Sequence, residues 1–196
     1  MPRTDPKAVL HHYLQEAREA LLWKLADLSE YDARRPLTPT GTNLLGLVKH
    51  VAACEIDYFG VSFDRPFPGR PAWMDSDEPN VDMWARPEES RDDVVDLYRR
   101  AWAHTDATID ALALEDTGLV AWWRPENQRP TLQRILVHMI AETHRHAGHA
   151  DIVRELIDDA VGLRLGNDNL PASDPAWWSG YRARVQQAAE DAARQS

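Results

Sequence analysis

Apolar residues recur at three- and four-residue spacings in four long stretches of the chain, and no stretch shows the strict alternation of a strand. Such spacing is typical of amphipathic helices that bury one face. We therefore predict four helices, and residues that favour the N-cap position begin the first two. The predicted helices run from Thr4 or Asp5 to Leu28, from Thr42 or Asn43 to Gly60, from Pro87–Glu89 to Leu112 and from Thr131 to Ala160.

The third predicted helix starts at Pro87, because proline and acidic residues suit a first helical turn. On this interpretation Ser90 is not needed as a cap. Two stretches without sustained periodicity, residues 62–87 and 115–130, contain several prolines and are predicted to be loops. A loop as long as 62–87 in a compact domain is usually functional or disordered.

This order of elements predicts an all-α fold, an antiparallel four-helix bundle with long inter-helix loops. Residues 1–160 are assigned to the bundle, and the length of the chain favours one domain overall. Residues 161–196 form a C-terminal extension. Its amphipathic part, residues 176–193, is predicted to be an additional helix packed on the bundle.

Composition and charge narrow the function classes. The chain has 196 residues, with 22 Lys and Arg against 32 Asp and Glu, and its net charge of −10 argues against a nucleic-acid partner. No apolar stretch is long enough to cross a membrane, and the N-terminus lacks a signal-peptide pattern. Cys54 is the single cysteine, so an intrachain disulfide is excluded. These features predict a soluble, cytoplasmic protein.

The fourth predicted helix carries most of the candidate chemistry. Because an α-helix turns by about 100° per residue, His138, Glu142, His146 and His149 fall on one narrow face, and His144 points away from it. The same face also holds apolar residues, so we expect it to be turned inward. Burying a carboxylate and imidazoles is costly unless they pair or bind a metal.

The second predicted helix supplies a further ligand, His50, inside an otherwise apolar stretch. Together with Glu142 and His146 it makes a set of two imidazoles and one carboxylate. Such a set suits catalytic Zn²⁺, and Fe(II), Ni and Mn are alternatives. Cys54 lies one turn from His50 and is either a thiolate ligand or a small core residue. Asp57 is either an outer partner of the site or an exposed charge.

Two sequence segments carry a resemblance to a known family. The segment LVKHVAACE around His50 and the segment ETHRHAGHAD that begins at Glu142 resemble the DinB-like superfamily. The resemblance is closest to its branch near the mycothiol-dependent maleylpyruvate isomerases and mycothiol transferases, and it covers about residues 5–160. It implies a four-helix bundle with a divalent metal between the helices.

The resemblance also bears on individual residues. Many members have two histidines four residues apart on the fourth helix, whereas here Glu142 replaces the first of them. This arrangement matches the His-Glu-His version of the maleylpyruvate isomerase branch. His149 stands where many members carry Gln, and it is our candidate catalytic residue. Three roles stay open for His149: a fourth metal ligand, a group in contact with a ligand, or a general acid or base.

The resemblance implies a metal-dependent thiol S-transferase or isomerase that uses mycothiol or a similar low-molecular-weight thiol. Its partners are then that small-molecule thiol and an electrophilic substrate. A bound Zn²⁺ stabilises a thiolate, which can attack an electrophile at neutral pH. The alternatives are a metal-dependent hydrolase and a non-catalytic metal-binding stress-response protein.

The substrate-binding residues are less specific in the sequence. Trp73 and Trp84 of the 62–87 loop are candidate pocket walls, since we expect this loop to cover one end of the bundle. Arg145, Arg154 and Arg164 are candidates for an anionic substrate, or are simply surface arginines. A homodimer with the C-terminal segment as its contact also stays open.

Overall fold

The structure is a computed structural model that describes residues 5–171 and 174–195. Within these residues the protein is all-helical and forms no β-strand beyond two isolated bridges, which confirms the predicted class. The described part contains six α-helices: α1 (Pro6–Trp23), α2 (Glu30–Arg34), α3 (Leu44–Glu55), α4 (Arg91–Ala111), α5 (Leu132–Asp158) and α6 (Pro175–Gln195).

Side-chain caps begin the long helices where the sequence favours them. The carboxylate of Asp5 accepts a hydrogen bond at the start of α1, and the alternative cap Thr4 lies outside the described residues. The side chain of Asn43 accepts a hydrogen bond from the Gly46 amide at the start of α3. Thr131 caps α5 in the same way. These contacts satisfy amide groups that have no partner inside the helix.

The predicted start of α4 is wrong. The helix begins at Arg91, and Ser90 is its cap, whereas Pro87 lies in a turn before it. The Ser90 hydroxyl accepts from the Asp93 amide, and the Asp93 carboxylate accepts from the Ser90 amide. This reciprocal capping box satisfies two amides at once, which the proline-led first turn cannot do.

The predicted end of the first helix at Leu28 is also wrong. The helix ends at Trp23 and is followed by a turn, in which Asp27 adopts a left-handed backbone with φ of 60°. A short helix that the sequence did not predict, α2, follows with Ser29 as its cap. Its brevity explains why apolar periodicity could not identify it.

The long helices pack through two apolar clusters. Helix α1 packs on α5, and α3 packs on both α4 and α5. One cluster includes Leu21, Val48, Tyr98 and Ala147, and the other includes Leu14, Phe59, Ile109 and Ile135. Helices α1, α3, α4 and α5 contribute to both clusters. Near the boundary between the clusters, each of these helices carries one polar residue that is fully buried: Arg18, Glu55, Thr105 and Thr143, respectively.

The C-terminal helix differs from the other five. None of its described residues is buried, whereas each of α1 to α5 buries at least one. The predicted packing of residues 161–196 on the rest of the chain stays a prediction. Within the described residues, no helix combines the length and apolarity that a membrane crossing requires.

Candidate metal centre

Helix α5 brings Glu142 and His146 together by its own geometry. The residues are four apart, so their side chains lie on one face in successive turns. His146 Nε2 lies 3.0 Å from Glu142 Oε1. The imidazole is buried with 8% of its surface exposed, and the carboxylate is half-buried. An acid and an imidazole are thereby held side by side at the edge of the core.

Helix α3 adds His50 to this pair, as the sequence predicts. His50 Nε2 lies 3.6 Å from Glu142 Oε1. The His50 and His146 rings meet edge to face, with centroids 4.8 Å apart. One ligand atom from each of His50, Glu142 and His146 lies within 4.8 Å of the other two. The three side chains from two helices thus converge on one small volume.

The 62–87 loop supplies a residue that sequence reasoning missed. His50 Nδ1 donates to Asp82 Oδ2 over 2.7 Å, which leaves Nε2 directed toward Glu142. A carboxylate on the remote nitrogen is the usual outer partner of a metal-binding imidazole, because it fixes the ring orientation and raises its basicity. Asp82 therefore completes a carboxylate–imidazole pair at this site.

Several contacts hold the Asp82 segment on α3. Lys49, with 1% of its side chain exposed, donates from Nζ to the carbonyls of Val81 and Trp84, each over 3.0 Å. Asn43 Nδ2 donates to the Met83 carbonyl. A Cβ added to Gly46 would lie 1.9 Å from the same carbonyl oxygen, so only glycine permits this close approach. The one signal in the sequence for such an anchored loop was Lys49 itself, a lysine within an otherwise apolar helical stretch.

The charges at the site shift the ionisation of its members. Burial lowers the pKa of His50, but hydrogen bonds with Asp82 and Cys54 outweigh it and raise the pKa to about 10. The hydrogen bond to His50 holds the pKa of Asp82 below its usual range. Burial raises the pKa of Glu142, but contacts with His146 and His50 outweigh burial and lower it. Burial and the charge of His50 lower the pKa of His146.

The residues present fit a divalent transition metal. Two imidazoles and one carboxylate form the donor set of many catalytic zinc sites and of non-haem iron sites. His146 Nδ1 is buried and has no hydrogen-bond partner among the described residues. Buried polar atoms normally have partners, so an orphaned nitrogen in this cluster is consistent with a ligand site.

The other candidates on α5 have different surroundings. His149 is exposed and contacts His146 edge to face, with ring centroids 5.3 Å apart. His144 is exposed, as its helical phase predicts. His138 shares the predicted face, but its ring packs against Tyr58 and Trp123 rather than in the three-residue cluster.

Two candidates near α3 also have defined positions. Cys54 Sγ lies 3.6 Å from His50 Nε2, at the edge of the cluster. Asp57 forms an ion pair with Arg70, so it is neither an outer partner of the site nor a free surface charge.

The predicted pocket walls and anion-binding residues have other surroundings than the sequence predicts. Trp73 packs over the Lys49 ammonium, 4.3 Å from its ring centroid, and Trp84 is partly exposed. Arg154 is buried and bonds to Asp158 and the Lys24 carbonyl. Arg145 and Arg164 are exposed. A pocket of about 570 Å³ lies instead beside Trp122 and Trp123, next to the start of α5.

Comparison with known structures supports the fold. A crystal structure described as the conserved protein of locus from Enterococcus faecalis matches with a TM-score of 0.60 and 18% sequence identity. The match covers 79% of this chain and 98% of that chain. At this identity the likeness concerns the fold alone. The search of curated proteins gives no significant match.

Comparison with family models is more specific. The model of the mycothiol S-transferase family matches residues 9–159, which include His50, Asp82, Glu142 and His146. The match covers most of α1, all of α2 to α5 and the loops between them. This chain belongs to the mycothiol S-transferase family.

Proposed function

We propose that this protein is a divalent-metal-dependent S-transferase that uses mycothiol or a similar low-molecular-weight thiol. The observation that carries the proposal is the convergence of His50, Glu142 and His146 within 4.8 Å in a member of this family. We further propose the antiparallel four-helix arrangement for residues 1–160, residues 161–196 as its extension, and a cytoplasmic location.

In the proposed site, His50, Glu142 and His146 hold the cation and Asp82 keeps the His50 ring in place. Zn²⁺ is favoured, with Ni, Fe and Mn as alternatives, because the donor set mixes nitrogen and oxygen. When bound, such a cation lowers the pKa of a nearby thiol and so raises the fraction of thiolate at neutral pH. Three protein ligands leave room for a small molecule, as catalytic sites require.

The proposed reaction transfers the thiol sulfur to an electrophilic carbon. The sulfur lone pair forms the new carbon–sulfur bond, and the bond from that carbon to the leaving group breaks with its electron pair going to the leaving group. The thiol proton goes to solvent. We assign His149 as the group that accepts it first, because its exposed imidazole lies beside His146.

An external thiol is favoured as the nucleophile. Cys54 is the single cysteine, so a protein thiol that attacked the acceptor would stay alkylated and the enzyme would not turn over. Cys54 is half-buried, and its Sγ atom contacts His50 Nε2 at 3.6 Å. An isomerase would use the same thiolate addition, followed by loss of the thiol after rotation about the former double bond.

The test compares metal-loaded, chelator-treated and Zn²⁺-reconstituted protein. Each sample is incubated with an activated aryl halide, with and without mycothiol, and products are identified by mass spectrometry. The proposal requires a thioether that forms only when metal and thiol are both present. Hydrolysis of the halide without thiol would favour the hydrolase alternative. Stoichiometric metal without either product would favour a non-catalytic metal-binding protein.

A further inference from the structure

The pocket of about 570 Å³ is built from one loop and one helix. Trp122, Trp123, Arg124 and Asn127 contribute from the loop before α5, and Arg134 and His138 contribute from the first turns of α5. Gln128 fixes the loop by donating from Nε2 to the carbonyls of Ala121 and Trp123. These two hydrogen bonds tie both ends of the tryptophan segment to Gln128.

Aromatic rings form one side of this pocket. The Tyr58 hydroxyl accepts hydrogen bonds from the indole of Trp123 over 3.0 Å and from that of Trp122 over 3.4 Å. The His138 ring meets Tyr58 and Trp123 edge to face, with centroids 4.8 and 5.2 Å away. These contacts hold the indoles in place although Trp122 is 51% exposed. Fixed, exposed aromatic faces suit a flat ligand.

Two arginines give the same pocket a positive charge. The Arg134 guanidinium lies 5.1 Å from the Trp123 ring centroid and donates to Asn127 Oδ1 over 3.2 Å. Neither contact neutralises its charge. Within residues 5–171 and 174–195, no carboxylate forms an ion pair with Arg134 or Arg124. Two uncompensated arginines in one pocket are notable in a chain with a net charge of −10.

The pocket adjoins the candidate metal centre through two elements. His138 lies one helical turn before Glu142 on α5. Tyr58 lies in the π-helical turn Ile56–Gly60 that directly continues α3, the helix that carries His50. A molecule seated against His138 would thus have one end about one helical turn along α5 from Glu142. π-Helical turns are frequent at functional sites.

We propose that this pocket binds the acceptor substrate, and that the acceptor is a flat, conjugated or aromatic carboxylate. The guanidinium groups of Arg124 and Arg134 would bind the carboxylate, since arginine presents paired donors that match its two oxygens. The exposed indole of Trp122 would bind the flat body, and the Trp123 ring beneath Arg134 would position its guanidinium. The role of the ligand as acceptor rests on the proposed transferase function, whereas its chemical class rests on the pocket alone.

The test measures binding and not turnover. Isothermal titration calorimetry on the metal-loaded protein compares 2-naphthoate with its neutral isostere 2-naphthamide. We expect the naphthoate to bind about tenfold more tightly or better, as charge-assisted hydrogen bonds require. R124M and R134M should each lose most of this preference, and R134K should retain part of it. R99M, an exposed arginine on α4, is the matched control and should bind as the unaltered protein does.

The outcomes separate this inference from the proposed function. Equal affinity for the two probes, or an unchanged preference in R124M and R134M, would overturn the carboxylate pocket even if thiol transfer to a neutral electrophile proceeds. Arginine-dependent binding of naphthoate without thiol transfer to any electrophile would support the pocket and contradict the transferase. Faster thiol transfer to a carboxylated aryl halide than to its amide, lost in R134M, would support both.

Discussion

Helix α3 supplies one residue to each of two charged clusters, and the two differ in how completely their polar atoms are paired. Glu55 belongs to a buried ion pair with Arg18, in which both side chains are 0% exposed. His50 belongs to the candidate metal centre, where the side chains are 10–26% exposed. The same helix thus contributes to a closed cluster and to an open one.

The buried cluster is saturated. Arg18 donates to both carboxylate oxygens of Glu55, over 2.9 and 2.6 Å, and to Asp106 Oδ1 over 2.8 Å. Burial lowers the pKa of Arg18, but the two carboxylates outweigh it and raise the pKa above its ordinary value. The guanidinium therefore stays charged. No polar atom of this ion pair is left for a ligand, which indicates a structural role that joins α1, α3 and α4.

The candidate metal centre is not saturated. His50 Nε2 and Glu142 Oε1 lie 3.6 Å apart, too far for a good hydrogen bond, and His146 Nδ1 has no partner. Unlike Glu55, Glu142 is within reach of solvent. The contrast teaches that the two clusters differ in solvent access and in contact between helices: the Arg18–Glu55 pair is closed and tightly hydrogen-bonded, whereas the contact between His50 and Glu142 is long and reaches solvent.

The largest expected effect is on the closed cluster. Glu55→Gln leaves the buried Arg18 charge with only the partly exposed Asp106 carboxylate as its ionic partner, so we expect the free energy of unfolding to fall by about 3 kcal/mol. Urea denaturation measures it. The exposed Glu19→Gln on α1 is the control and should change stability by no more than about 0.5 kcal/mol. A Glu55→Gln protein as stable as the control would contradict the structural role.

The next expected effect concerns the candidate metal centre, and it is a loss of metal binding rather than a loss of stability. His146→Ala deletes one proposed ligand, so metal affinity should fall by more than the roughly 10–100-fold expected for loss of an outer partner. Elemental analysis and chelator competition measure the loss. His144→Ala, on the exposed face of the same helix, should retain its metal. Equal metal content in the two variants would remove His146 from the site.

A smaller effect is expected when only the orientation of His50 is lost. Asp82→Asn removes the negative charge on the Nδ1 side of the ring, so metal affinity should fall by about 10–100-fold. The same chelator competition measures it. Asp77→Asn, an exposed residue of the same loop, provides the comparison and should bind metal normally. If both variants bind alike, the loop does not contribute to the site.

The smallest effect is a pH dependence at the rim of the closed cluster. Burial raises the pKa of Asp106, but contacts with His11 and Arg18 outweigh it and lower the pKa. A lowered pKa contributes stability that is present above the ordinary value of 3.8 and is lost as the pH falls through the lowered value. Asp106→Asn should therefore lower stability at pH 7 by about 1 kcal/mol or less, since the group is partly exposed.

This last prediction is checked by urea denaturation across the acid range. The difference between the unaltered protein and Asp106→Asn should shrink below pH 3.8. A difference that stays constant with pH would show that the carboxylate charge contributes nothing and that only the shape of the side chain matters.

Local patterns predicted much of the fold and part of the site. Helix periodicity placed Glu142 and His146 on one face, and it placed His144 outside it. It also predicted the all-helical class. It failed where a few local hydrogen bonds decide the boundary, as at Ser90, and where a helix is too short to show a period, as in α2.

Contacts between distant segments were not predictable in the same way. His138 satisfies the periodicity as well as Glu142 does, but Tyr58 and Trp123 engage its ring. Trp73 and Trp122 are equivalent as loop tryptophans in the sequence. Only the packing shows that the first covers Lys49 and that the second lines a pocket.

The amino-acid order alone determined which side chains share a helix face, because that depends on a fixed rotation per residue. Tertiary structure decided which faces meet. It set His50 opposite the α5 pair, brought Asp82 from 32 positions away to the far side of its ring, and enclosed Arg18 with Glu55. The physical reason is that side-chain pairing across helices depends on loop conformation and on which apolar faces pack together, whereas the periodic pattern identifies each face but not its partner.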